Sequence, residues 1–531
     1  MKKLITHSLG IPLIVVTIFL GCQDMDIVNQ NQPDEQRALA SPGDLESLIK
    51  GSFLSWFDAI QSSTPNMSLA MPSDTYTCGW GNFGMGSLST EPREILINTS
   101  SSGLRGVMEG PWFGLYGAIS AATDGIRNIE AGNVTLGDDN ERALGFAKLV
   151  QGLSHGYIAL MFDKGFILDE NVDLASGILE LVPYTDVMDA AIAQLEAAIA
   201  IFNANDFTLP NDWINGKAFT SAELSKLAHS FIARYMALLP RDKTQRAAVN
   251  WSSVLTHLDA GLTEDWGVIG DGAGRSSVWY SGTHWYSSQW NVWQRVDYKL
   301  IGPSDESTGY TSWLGKAPAD RDEFIMQSGD KRIWDGTLTA DGTQNPGSQM
   351  LQIGATTFIR ASYGFSRYGH DRFKEVTTSN NAVPLILFRM SENDFLRAEA
   401  LMHTGGSTST IAALLDKTHV GDGGYASTSG LALGSINDAP DPKHSAATLW
   451  SVLKYEKNMD LLGTWSGLQY WEKRGWGDLT TGTLIHFPVP AADLETMGLQ
   501  LYTFGGVGLP GGAPKKRSEI GEDLEEWNLR Y

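Results

Sequence analysis

The chain is poor in the residues that usually announce chemistry. It has 531 residues and only two cysteines, Cys22 and Cys78. Two cysteines exclude the disulfide framework that staples small exported domains. No GxSxG, HExxH, P-loop or CxxC pattern occurs, so the common hydrolase, zinc-protease, nucleotide and thiol-redox signatures are absent. The ten histidines are dispersed. His284 and His370 lie in aromatic or polar loop segments, without a second ligand at helical or hairpin spacing, and hydrogen-bonding structural roles are expected for both. Clustered oxygens in "DGTLTADGTQNPG" and "SDEST" depart from the calcium-loop pattern and read as solvated turns. Among 61 acidic residues, close pairs such as Asp320 and Asp322 arise by chance. No cofactor and no metal is expected.

Positive charge is scarce too. Lys plus Arg total 39 against 61 Asp plus Glu, a formal charge of −22. Nucleic-acid binding needs a basic face, which this balance does not supply. An acidic chain favours solubility and neutral or cationic ligands. The apolar fraction of 42% and charged fraction of 19% suit a globular protein with a large core.

After residue 21 no apolar run approaches the ~18–20 residues of a membrane span. The N-terminus does carry a signal. Lys2 and Lys3 precede a short apolar run, Ile11 to Leu20, and then "FLGCQD" places small Gly21 directly before Cys22. This is the pattern of a lipobox, in which the chain is cut before Cys22 and lipid is attached to it. Residues 1–21 then form a lipoprotein signal peptide and residues 22–36 a polar tether. Loss of both lysines takes the formal charge from −22 to about −24. Acyl chains on Cys22 would be the membrane anchor. Cys78 is left without a partner and is expected to be a buried small hydrophobe.

What the sequence has in abundance is helical periodicity. Ser41 before Pro42 reads as an N-cap with proline at the first helical position. Leu45, Leu48, Ile49, Phe53 and Trp56 follow at helical spacing. Helices are expected over Trp112 to Glu130, Glu141 to Phe162 and "YTDVMDAAIAQLEAAIAIF". In the last, Met188, Ile192, Leu195, Ile199 and Phe202 share a face and Thr185 is placed to cap. "TSAELSKLAHSFIARYMALLP", stopped by Pro240, and about Ala247 to Leu262 continue the series. Consecutive amphipathic helices of this length bury their stripes by stacking as antiparallel pairs. The expected fold is mainly α, one domain over residues 37–531. Its helical scaffold lies at about 107–265 and 383–475, with loop-rich insertions at about 66–106, 267–382 and 405–446.

The feature without an ordinary explanation is "SSVWYSGTHWYSSQWNVWQRVDY". It carries Trp279, Tyr280, Trp285, Tyr286, Trp290, Trp293 and Tyr298 within residues 276–298. Neither a period of two nor one of 3.6 orders the rings, and their neighbours are Ser, Gly, Thr, Gln and Asn. Flat aromatic faces rimmed by polar groups suit sugar rings, whose C–H faces stack on them. About half of these rings should pack inward. Trp285, Trp290 and Trp293 are expected to face out, with Trp279 behind them in rank. "CGWGNFG" supplies a second set, Trp80, Asn82 and Phe83, on a glycine loop.

Several segments together resemble the RagB/SusD family of outer-membrane nutrient-binding lipoproteins. They are "GCQD", "NQNQPDEQRALASPGDLESLIKGSF", "FAKLVQGLSHGYIALMFDKGF", "YTDVMDAAIAQLEAAI", "AELSKLAHSFIARYMALL", "PLILFRMSENDFLRAEALMHTGG" with Arg389, Glu392 and Ala398 to Ala400, and "FPVPAADL". Their order spans nearly the whole chain. The family's late Glu-Arg pattern is matched only loosely by "YEKNMDLLGTWSGLQYWEKRGWGDL". The resemblance implies tetratricopeptide-like helix pairs carrying a loop-built ligand face. It also implies a lipid-anchored, cell-surface outer-membrane protein without catalytic residues, which delivers a glycan or other oligomeric nutrient to a SusC-like TonB-dependent transporter. No binding residue carries over by motif. The candidate ligand-binding residues, chosen on local chemistry, are Trp80, Asn82, Trp279, Trp285, Tyr286, Trp290 and Trp293. Two other readings remain: an exported glycosidase of the (α/α) toroid type, and a helical-repeat scaffold that binds protein.

Overall fold

The computed structural model describes residues 41–173, 179–289, 293–354, 366–443, 445–507 and 511–516. Cys22, the signal segment and the tether lie outside them, as does Trp290. The first helix, α1 (Pro42–Gln61), begins where the sequence says it should: Ser41 Oγ accepts from the Asp44 amide, and Pro42 needs no amide there. Leu45, Ile49, Phe53, Trp56 and Phe57 point inward. A short α2 (Ser63–Ala70) and strand β1 (Tyr76–Cys78) follow.

Next come α3 (Arg105–Glu130), α4 (Asn140–Met161), α5 (Tyr184–Ala204), α6 (Ser221–Leu238) and α7 (Trp251–Asp259). Each packs on its neighbour: α1 on α3, α3 on α4, α4 on α5, α5 on α6, and α6 on α7. Two expectations need correcting. α3 starts seven residues before Trp112 and runs through Pro111. An interior proline costs about 3 kcal/mol, and burial of Val107 and Met108 in that first stretch offsets it. Thr185 does not cap α5, because the helix starts at Tyr184 and places Thr185 inside its first turn.

α5 has the length and apolarity to cross a bilayer, but it lies packed between α4 and α6. Its buried Met188, Leu195, Ile199 and Phe202 are the expected stripe, with Ile192 at the edge. α4 is buried almost all round, and small residues bring its neighbours close. A Cβ on Gly152 would sit 2.6 Å from Leu195, and one on Gly156 would sit 2.0 Å from the Tyr235 ring.

The chain then leaves the scaffold and returns. Strand β2 (Trp266–Ile269) begins the excursion, the short helix α8 (Gly282–Ser287) and strand β3 (Gln294–Val296) lie within it, and β4 (Pro384–Phe388) ends it. β2 pairs antiparallel with β4, Val268 opposite Leu385, so the base of the insertion is closed. Only glycine fits at Gly267, where a Cβ would lie 2.0 Å from Leu385 O.

Helices resume with α9 (Met390–Thr404), α10 (Thr408–His419), α11 (Leu449–Asp460) and α12 (Leu468–Trp476). Buried ion pairs tie these to the earlier half. Arg234 of α6 makes two 2.6 Å bonds to Glu392 of α9. Arg246 reaches Glu399 of α9 (2.7 Å) and Glu472 of α12 (2.5 Å), and Lys457 of α11 bridges the same two carboxylates. Four opposite charges thereby neutralise one another out of water, which keeps a buried quartet tolerable.

Candidate functional site

The two aromatic sets that look separate in the sequence are two ends of one ribbon. β1 and β3 pair antiparallel, with Tyr76 opposite Val296 and Cys78 opposite Gln294. The Gly79 amide then donates to Trp293 O at 2.8 Å. This puts the glycine loop directly beside the end of the aromatic stretch. Trp80 and Trp293 have ring centroids 5.9 Å apart, and Phe83 lies 6.2 Å from Trp293 and 6.1 Å from Tyr286. Tyr286 meets Trp293 edge-on at 5.1 Å. Cys78 is buried, as expected, and its thiol donates to Trp80 O at 3.1 Å.

Phe83 holds a left-handed backbone, φ 56° and ψ 27°, followed by Gly84 at φ 75°. That conformation costs a bulky L-residue about 1–2 kcal/mol. The surrounding rings hold it there.

The aromatics divide by element. Trp279 belongs to the core, 8% exposed, with its ring 5.3 Å from Phe57 and 6.2 Å from Phe53. It is a peg that pins the loop to α1 and offers no free face. Tyr286 is likewise buried, at 1%. These two placements correct the candidate set. The reason is visible in α8, whose Gly282 presses on residues 61–63. A helix of six residues turned that way buries Gly282, Thr283, His284, Tyr286 and Ser287. Trp285 is left half-buried, its ring 6.0 Å from Tyr280. Trp80 and Trp293 are also half-buried, and Asn82 is exposed.

Sequence reasoning missed Arg275, and it named Tyr280 among the aromatics without choosing it as a ligand residue. Arg275 is exposed, donates to the Tyr286 hydroxyl at 3.1 Å, and lies 5.8 Å from that ring's centroid. The Tyr280 hydroxyl lies beside those two groups, and burial pushes its ionisation well above the usual tyrosine range. A lone Arg in a Gly-Ser segment gives no periodic or motif signal, so only the fold reveals it.

The histidines take the structural roles expected of them. His284 Nε2 bonds Ile386 O at 3.0 Å and Nδ1 meets Ser281 Oγ at 2.6 Å, which assigns the proton to Nε2. Tyr76 and His370 Nδ1 are 2.7 Å apart. Burial pulls His284 down to about 4 and His370 well below its ordinary value, so both are neutral.

Among the described residues no group of three or more His, Cys, Asp or Glu could hold a metal ion. A cavity of about 130 Å³ lies between the N-terminus of α6 and β2, and it shares no residue with the aromatic face. There Lys217 is neutralised by Glu223 (3.2 Å) and Glu264 (3.1 Å).

Three solved structures resemble the fold of this chain. A SusD superfamily protein from Bacteroides vulgatus superposes with a TM-score of 0.53 at 12% identity, covering 86% of this chain and 97% of its own. A SusD-like protein from Bacteroides fragilis gives 0.53 at 12%, with 84% and 88% covered. Surface glycan-binding protein A from Bacteroides uniformis gives 0.50 at 14%, with 85% and 98% covered. The chain has the SusD-like fold. The mainly-α expectation holds, and the resemblance read from the ordered segments is met at the level of the fold. No family model and no curated protein matches the chain.

The loosely matching late segment, residues 455–479, has a structural role in this chain. Glu472 and Lys457 lie in it, and they close the buried quartet with Glu399 of the "AEA" segment. That stretch holds helices together.

Proposed function

We propose that this chain is a non-catalytic, cell-surface binding protein that holds an oligosaccharide on the face made by Trp80, Trp285 and Trp293, with Asn82 at its rim. The observation that carries the reading is the convergence of the glycine loop and the aromatic stretch through the β1–β3 ribbon. Rings that are fixed by packing and only partly buried suit stacking against sugar C–H faces. One structural neighbour is described as a surface glycan-binding protein, and this supports the ligand class. The lipobox at Cys22 supports anchoring to the outer membrane, and the SusD-like scaffold supports delivery to a SusC-like TonB-dependent transporter.

The test is a glycan array on the mature chain with Cys22→Ser, followed by titration of the best binder. Trp80→Ala, Trp285→Ala and Trp293→Ala together should abolish binding while the protein stays folded. Unchanged binding would reject the site. Release of reducing ends by the purified protein would reject the non-catalytic reading in favour of a glycosidase.

A further inference from the structure

Arg275 stands out in a chain of formal charge −22. It is exposed beside the aromatic face, and among the described residues it makes no ion pair. The one carboxylate on its own loop, Asp271, is already engaged. Its oxygens accept from Ser277 Oγ, from the Ala273 amide at 3.1 Å and from the Val278 amide at 2.9 Å. Among the described residues the guanidinium donates to the Tyr286 hydroxyl, with the Tyr280 hydroxyl also beside it. Arginine carries five donors, more than these two hydroxyls can use, and among the described residues no carboxylate takes one from Arg275.

The loop that presents Arg275 is held from behind. Asn380 and Asn381 take consecutive left-handed conformations, φ 52° and 71°. Their turn accepts the Gly274 amide at 2.8 Å, and Asn381 Nδ2 donates to Trp279 O at 2.7 Å and Ser277 Oγ at 3.1 Å. The Trp279 peg fixes the same loop to α1. A side chain on a braced loop, oriented by a tyrosine hydroxyl, loses less freedom on binding than an ordinary surface arginine.

We infer that the face takes a saccharide bearing a negative charge, a uronate carboxylate or a sulfate ester, with Arg275 as the partner of the anion. This rests on the reading of the aromatic face as a glycan site and adds its charge preference. Arginine pairs with carboxylate and sulfate oxygens through its planar fork. The acidic surface elsewhere does not forbid such a ligand, because charges beyond about 8 Å are screened at physiological salt.

The experiment titrates the mature chain carrying Cys22→Ser with four oligomers: oligogalacturonate, its neutral methyl ester, a sulfated galactan oligomer and the unsulfated galactan. The expected result is that one charged oligomer binds at least about tenfold tighter than its neutral counterpart and loses about tenfold on Arg275→Gln. Which charged oligomer does so tells carboxylate from sulfate. Arg275 is exposed, so an unchanged melting temperature confirms that the variant is folded. Equal binding of charged and neutral oligomers, or charged binding that Arg275→Gln leaves intact, overturns the inference. If Trp293→Ala abolishes binding in that case, the aromatic site itself survives. Binding that neither Arg275→Gln nor the triple Trp variant affects overturns both, and so does failure of all four oligomers to bind.

Discussion

The indole rings of Trp80 and Trp293 lie 5.9 Å apart and 38° from parallel, although they are 213 positions apart in sequence. The β1–β3 ribbon makes the pair, since the Gly79 amide is bonded to Trp293 O. Rings in contact share the surface they present, so their effects on a ligand should not add. Trp80→Ala and Trp293→Ala should each weaken glycan binding by about tenfold, roughly 1.4 kcal/mol. The double variant should lose less than the sum, by about 0.5 kcal/mol or more. Calorimetric titration of the two singles and the double checks this, and strict additivity would show that the rings act at separate places.

Trp279 and Trp285 are six residues apart and should respond differently. Trp279→Ala removes a ring packed on Phe53 and Phe57 and should cost about 3–5 kcal/mol. Trp285 is half-buried, so Trp285→Ala should cost about 1 kcal/mol. Denaturant unfolding of both separates peg from platform. Equal losses would mean that Trp285 is also a core residue.

The scaffold was legible because its signals are local. Ser41 caps α1 and the α5 stripe points inward with no help from distant chain. The site was half legible. Composition alone marked the aromatic stretch as unusual, but which rings face out depends on contacts between distant elements. Tyr286 is buried because Gly282 sets α8 against residues 61–63, and those partners lie far outside residues 276–298. Arg275 became visible only through its neighbours in space. The buried quartet was hidden for the same reason: Arg246, Glu399, Lys457 and Glu472 look like ordinary surface charges until the fold brings them together.

Gly156 gives a prediction against helix propensity. Alanine is a better helix former by about 1 kcal/mol. Here its Cβ would lie 2.0 Å from the Tyr235 ring, whose hydroxyl is bonded to Leu153 O at 2.7 Å. The ring has no room to retreat without breaking that bond. Gly156→Ala should therefore destabilise by about 1–3 kcal/mol, seen as a lower melting temperature. A stabilised variant would show that α4 and α6 can move apart freely.

Glu399 should be among the costliest single charges to remove. It accepts from Arg246, from Lys457 at 2.6 Å and from Trp476 Nε1 at 3.3 Å. Glu399→Gln leaves two buried cations facing Glu472 alone. A loss of about 3–5 kcal/mol is expected in chemical denaturation. A loss under about 1 kcal/mol would show that water reaches the quartet.

Acid should expose the neutral histidines, and the sign follows from linkage. His284 falls from 6.5 to about 4 on folding because it is buried. Between those values the unfolded chain takes up a proton that the folded chain refuses, so stability falls as pH drops from 6.5 to 4. His155 is also pulled down to about 4 by burial and adds to this loss. Asp163 and Asp297, pushed up to about 6 by burial, run the other way, because the folded chain binds their protons first. The wild-type curve is thus partly compensated, and the informative quantity is a difference. His284→Gln removes the titrating ring, and glutamine can still donate toward Ile386 O. Its stability relative to wild type should rise progressively from pH 6.5 to pH 4, by up to about 3 kcal/mol. Urea unfolding of both proteins at intervals across that window measures the difference directly. A constant offset would mean that His284 is protonated in the fold, and its assignment as a neutral Nε2–H donor to Ile386 would then be wrong.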